Sequence, residues 1–128
     1  MKIGELAALT GVSVRSLRYY ESQGLITPVR QANGYREYSP LAVETVETIQ
    51  LYLNLGLSTE QISGFLHCVL RNKESFCSEV MPLYASKLAD IESQLLQLNQ
   101  IKQNLEERMA SILQEQKDTA SETVTKKT

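Results

Sequence analysis

The sequence predicts a mainly α-helical protein, in which a small domain of short helices and one β-hairpin precedes a single long helix. Three observations carry this. Short apolar-periodic runs in the first part of the chain are separated by glycines and capping residues. One Asn33-Gly34 pair lies between two short extended runs. From Ser78 to about Gln116 a heptad stripe continues without a glycine, and the one proline, Pro82, falls in the first turn.

Residues 3–9, IGELAAL, form the first helix, with Ile3, Leu6 and Leu9 expected to face inward. Thr10-Gly11 stops it. Ser13 is the N-cap of a second helix whose buried side holds Val14 and Leu17, and Gly24 ends that helix. Two short helices around a Gly-containing turn fit a helix-turn-helix. PVRQA and YREYS then flank Asn33-Gly34 as a small hairpin, or wing. Ser39-Pro40 opens a third helix, with serine as N-cap and proline in the first turn, where its missing N–H costs nothing. Val43, Val46, Ile49 and Leu53 are its apolar side, and it ends near Gly56. Ser58 caps a fourth helix through the capping box STEQ, with Ile62, Phe65, Leu66 and Val69 expected to face the core.

In the long helix Met81, Tyr84, Leu88, Ile91, Leu95, Leu98, Lys102, Leu105, Met109 and Ile112 follow at alternating spacings of three and four, and only Lys102 is polar. At 1.5 Å per residue this helix is roughly 55 Å long, too long to bury its stripe against so small a domain. It needs a partner, most simply a second copy. The expected organisation is a winged helix-turn-helix domain at 1–75, a coiled-coil dimerisation helix at 76–116, and a disordered tail at 117–128, where no apolar period continues.

Composition bounds the function. Hydrophobic residues make up 42% of the chain, enough for a core. No signal peptide or membrane-length apolar run is visible, so a soluble, cytoplasmic protein without membrane association is expected. Net charge is -2, but residues 1–38 hold five basic residues against three acidic ones. That local excess suits nucleic acid. Cys68 and Cys77 form no disulfide framework and are expected as free thiols. His67 is the single histidine, with no nucleophilic or paired-carboxylate set legible around it, so no enzyme is expected.

The basic excess has a pattern. Arg15 and Arg18 lie three apart and share one face of the second helix. Arginine suits both a phosphate and a guanine edge. Ser13, at the start of that helix, and Tyr19 and Tyr20 join the contact candidates, with Tyr19 expected exposed and Tyr20 more buried. In the wing, alternation places Arg36 and Tyr38 on one strand face and Tyr35 on the other. Arg30 precedes the turn, placed for phosphate or the minor groove. Tyr38 has a second reading as a packing residue between wing and third helix.

These residues resemble the DNA-binding domain of the MerR transcription regulators. The matching elements are IGELA, TGVS, LRYYESQGL and NGYREY, followed by LNLGLSTEQI and the heptad helix, so the resemblance covers residues 1 to about 115. It implies a winged helix-turn-helix homodimer joined by an antiparallel two-helix coiled coil. It further implies binding to double-stranded promoter DNA, with an overlong spacer bent and untwisted in response to a chemical signal, and RNA polymerase engaged indirectly. It points to Arg18 as a main DNA contact, and puts Tyr35 and Arg36 near the phosphate backbone with Tyr38 close by. An alternative is a DNA-binding architectural or adaptor coiled-coil protein without a small-molecule effector. Metal-sensing members often carry a cysteine where Cys77 stands. Here the segment after Leu113 supplies no cysteine or histidine, so a metal ion as cofactor depends on Cys68 and His67 coming close to Cys77. No cofactor is certain. Cys68, Cys77 and His67 are the sensing candidates, for a metal, an electrophile or thiol stress. Cys68 reads equally well as a small buried hydrophobe. The chain is short for a large drug-binding domain.

Overall fold

The computed structural model describes residues 1–127, with side chains through Ser121. Its elements in order are α1 (Ile3–Thr10), α2 (Val14–Ser22), β1 (Val29–Arg30), β2 (Arg36–Glu37), α3 (Leu41–Asn54), α4 (Thr59–Ser63), α5 (Leu66–Arg71) and α6 (Val80–Lys127), with a 3₁₀ turn at Glu74–Phe76. They form two compact units, Met1–Lys87 and the chain from Leu88 onward.

Local chemistry explains most boundaries of the first unit. Gly11 takes φ 73° at the end of α1, and its N–H donates to the Ala7 carbonyl. Ser13 caps α2 by accepting from the Ser16 N–H at 3.1 Å. At the other end Gly24 donates to Glu21 and Leu25 donates to Tyr20, the paired reversed bonds that close a helix on a left-handed glycine. The Leu41 N–H finds the Ser39 hydroxyl at 3.1 Å, so serine caps α3 across the helical Pro40. The Ser58–Gln61 capping box is present in both directions.

Leu6, Leu17, Val46, Ile49 and Ile62 are fully buried and knit α1, α2, α3 and α4 into one core, which Tyr20, Tyr38, Tyr52, Phe65 and Val80 extend. Val80 belongs to the first turn of α6, so the start of the long helix is part of this unit.

Four details depart from the expectation. Leu9 is 58% exposed rather than inward-facing. The single fourth helix is two: Phe65 adopts φ -133° between α4 and α5, while its ring packs edge-on against Tyr52 at 4.7 Å between centroids. The tail expected to lack order continues as helix to Lys127, since residues 117–127 hold neither glycine nor proline to stop it. Thr128, the last residue of that expected tail, lies outside the described residues. Cys68 and Cys77, expected free, are joined by a disulfide.

Burial pushes the phenols of Tyr20, Tyr38, Tyr52 and Tyr84 above their ordinary value. At Tyr84 the hydrogen bond to Glu74 adds to burial, and at Tyr38 the Glu21 carboxylate does. The native state therefore holds these protons more tightly than the unfolded chain. Their contribution to stability is complete below about pH 10 and declines as pH rises beyond it. A urea midpoint followed from neutral to alkaline pH should stay level and then fall above about 10. A midpoint that rose there would contradict the assignment.

Candidate nucleic-acid interface

Arg15, Arg18 and Tyr19 are all exposed on α2, while Leu17 and Tyr20 of the same helix are buried. The amphipathic split thus separates a basic outer face from the core face. Ser13 is exposed at the N-terminus of this helix, with its hydroxyl engaged in the cap. Tyr19 keeps its ring half exposed and shares a 3.4 Å contact with the Thr59 hydroxyl at the start of α4.

The wing is a minimal hairpin. Val29 pairs with Glu37 and Arg30 with Arg36 in antiparallel register. Its tip folds through a Gly34-to-Gln31 bond at 2.9 Å, with Gly34 at φ 85° and the Tyr35 N–H on the Asn33 side chain at 3.1 Å. Arg30 and Arg36 stand directly opposite, an arrangement of like charges that costs stability. Glu21 of α2 offsets it. Its carboxylate accepts from the Arg36 guanidinium at 2.9 Å and from the Tyr38 hydroxyl at 3.4 Å. Arg36 and Tyr38 therefore share one strand face, as alternation predicts, and that face is tied to α2.

Two candidate contacts change role. Tyr20 is 4% exposed and Tyr38 2% exposed, so neither ring offers a surface to a partner. Tyr20 accepts a hydrogen bond from Gln50 of α3. Tyr38 gives its N–H to the Met1 carbonyl at 2.7 Å and its carbonyl accepts from the Met1 ammonium at 2.8 Å, tying the end of the wing to the first residue of the chain. Arg30 and Tyr35 are exposed on the wing.

Two residues had gone unread. Glu21 joins wing and helix across 15 positions. Lys2 places its ammonium 5.1 Å from the centre of the Tyr35 ring. Lys2, Ile3, Arg18, Gly34, Tyr35 and Arg36 line an open cleft of about 570 Å³. Three cations converge there from α1, α2 and the wing, which suits a phosphate oxygen. The one signal in the sequence was Lys2 itself, a cation within the basic first segment.

The sensing candidates separate. His67 is exposed on α5. Cys68 is partly buried on α5, and Cys77 is buried just after the 3₁₀ turn, with 6.0 Å between their Cα atoms. While the sulfurs are bonded to each other neither is a thiolate, the form that ligates a soft metal. Among the described residues no group of three or more His, Cys, Asp or Glu side chains is placed to hold a metal ion. These residues do not fit a metal centre in this state. Among the described residues, no helix is long and apolar enough to cross a membrane.

The helix-turn-helix, wing and long helix invite comparison with known proteins. The model of the MerR helix-turn-helix regulatory protein family matches residues 1–67, more than half of the chain. The chain belongs to the MerR family. A probable heavy metal-dependent transcriptional regulator of Haemophilus influenzae is 37% identical over 107 residues, which cover 83% of each chain. The regulator HmrR of Rhizobium leguminosarum is 32% identical over 106 residues, 83% of this chain and 81% of the relative. The crystal structure of the lead(II)-bound regulator PbrR691 of Ralstonia metallidurans superposes with a TM-score of 0.73 at 26% identity, covering 82% of both chains. This MerR-family protein is a non-catalytic, sequence-specific DNA-binding regulator, and its working unit is the homodimer.

Proposed function

We propose that the protein acts at promoters through the α2 face and the wing. In this reading Arg18, with Arg15 beside it, reads base edges in the major groove. Arg36, Tyr35, Arg30 and Lys2 hold the phosphate backbone on the flank, with Tyr19 and Ser13 at the helix edge. Two copies joined along α6 as an antiparallel coiled coil address two half-sites. They bend and untwist the spacer between promoter elements, and polymerase responds to the reshaped DNA. The observation that supports this best is the Glu21 carboxylate, which fixes the wing arginine against the helix that carries Arg18. Helix and wing are thereby presented as one surface. An apolar stripe along α6 supports the pairing, with Leu95 54% and Leu98 61% exposed in the single chain.

Genomic footprinting tests the reading. Protection of a palindrome between promoter elements supports it. Many scattered sites without promoter preference would instead indicate an architectural protein.

The division of labour within the surface is testable by substitution. Arg18→Ala should weaken specific binding by about 1–3 kcal/mol, with relaxed preference at the position it reads. Arg36→Ala should weaken binding to all sequences alike and lower the salt slope by about one unit. Binding isotherms at several salt concentrations measure both. Identical, salt-independent losses in the two variants would refute the assignment.

A further inference from the structure

The disulfide joins α5 to the segment that precedes α6, within the Met1–Lys87 unit. It closes the segment between Cys68 and Cys77, a sequence separation of 9. Every residue from Arg71 to Phe76 is exposed, so this loop is open to solvent reagents. The Cys77 carbonyl accepts from the Val80 N–H at 3.1 Å, which sets Cys77 in the turn that leads into α6. Other ties run beside the sulfurs. Glu74 bonds the Tyr84 hydroxyl, and the Tyr84 ring lies tilted beside Tyr52 at 6.5 Å between centroids, while Tyr52 packs on Phe65. Val80 is anchored in the core. Opening the sulfur bridge therefore removes the covalent tie between α5 and the segment that leads into α6, while these contacts keep the unit folded.

We infer that Cys68 and Cys77 form a reversible dithiol–disulfide site, whose state sets how firmly the first turns of α6 are held within the DNA-binding unit and so how strongly the dimer acts at its promoter. The inference rests on the regulator reading above, because a promoter-binding protein shares its compartment with DNA, where thiols are kept reduced and disulfides are as a rule transient and redox-active.

The oxidant class is a hydroperoxide, ROOH. The more exposed thiolate, Cys68, attacks the peroxide oxygen. The O–O bond breaks, ROH leaves after taking a proton, and Cys68 becomes a sulfenic acid. The Cys77 thiolate then attacks the Cys68 sulfur and displaces hydroxide, which leaves as water with the second thiol proton. Two thiols and ROOH thus yield one disulfide, ROH and water, with two electrons passing from sulfur to oxygen. Reduction takes two equivalents of a small thiol. The first forms a mixed disulfide and releases one cysteine; the second releases the other as the reagent's own disulfide forms.

The test uses the full chain. Protein is equilibrated in glutathione buffers of graded potential, and its free thiols are counted by alkylation and mass. Affinity for promoter DNA is measured at fixed salt in the fully reduced and fully oxidised states. Cells are treated with cumene hydroperoxide, and the pair is trapped with acid and alkylated. The expected result is a two-electron transition within the buffered range, a dithiol-to-disulfide shift in treated cells, and a change in promoter affinity or reporter output of about fivefold or more between states. The Cys68→Ser and Cys77→Ser variants should lose that difference while keeping a wild-type circular dichroism spectrum. If a variant fails to fold, the wild type in its two states carries the comparison alone. Equal affinity and output in both states, or a bridge that stays closed in untreated and treated cells alike, would make the disulfide a structural staple and overturn the inference. No binding to promoter DNA in either state would overturn the regulator reading itself.

Discussion

A chain carrying Leu95→Asp together with Leu98→Asp should sediment as monomer or as unfolded protein, not as dimer. Both leucines lie on the exposed stripe of α6, which presents Leu88, Ile91, Leu95, Leu98, Leu105, Met109 and Ile112 to solvent in the single chain. A dimer seam covers such a stripe. Each aspartate would place a carboxylate in that seam, and burying an unpaired charge costs several kcal/mol or forces the group to take a proton. Two charges per chain, doubled by the symmetry of the pair, exceed what the remaining apolar contacts can offset. Analytical ultracentrifugation at neutral pH reads the outcome. A variant that remained a tight dimer would place the interface elsewhere. A control at Glu107, which is not on the stripe, should leave the dimer intact.

Leu17→Ala should cost about 2–5 kcal/mol of stability, because it empties a fully enclosed site between α2 and its neighbours. Domains of this size hold only about 5–15 kcal/mol in total. The lost volume also lies directly beneath the helix that carries Arg15 and Arg18, so DNA binding should fall with stability. Urea titrations at one fixed protein concentration measure the first effect, since dimerisation makes the midpoint concentration-dependent. A loss below about 1 kcal/mol would mean that the neighbouring side chains close the gap unaided.

Much of this molecule is written locally. Gly11, Ser13, Gly24, Ser39 and the Ser58–Gln61 box each name a helix end, and each does so in the structure. Asn33-Gly34 marks the wing, and the period of two places Arg36 with Tyr38. What was missed depends on distance along the chain. Glu21 meets Arg36 only after the hairpin folds back on α2, and nothing near position 21 announces that contact. The break at Phe65 comes from a ring seeking Tyr52 on another helix, which an apolar period cannot register. The Cys68–Cys77 bridge requires the turn at Glu74–Phe76 to bring two Cα atoms within 6.0 Å, a condition of three-dimensional geometry that cysteine counting does not contain. Tyr38 sits on the face that alternation gave it, but its own ring is buried while Arg36 on the same face stays exposed.

The Glu21 carboxylate has a kinetic consequence. In the free protein it acts as a tethered counterion for Arg36. In the proposed complex every DNA phosphate that engages Arg36 competes with that carboxylate, whatever the sequence beneath it. The competition subtracts the same amount from matched and mismatched sites and leaves their ratio unchanged. It shortens the time the protein spends on each wrong site. A dimer that lets go of random DNA sooner scans more of it per second, and an acid set within the recognition surface thereby hastens the search for the promoter.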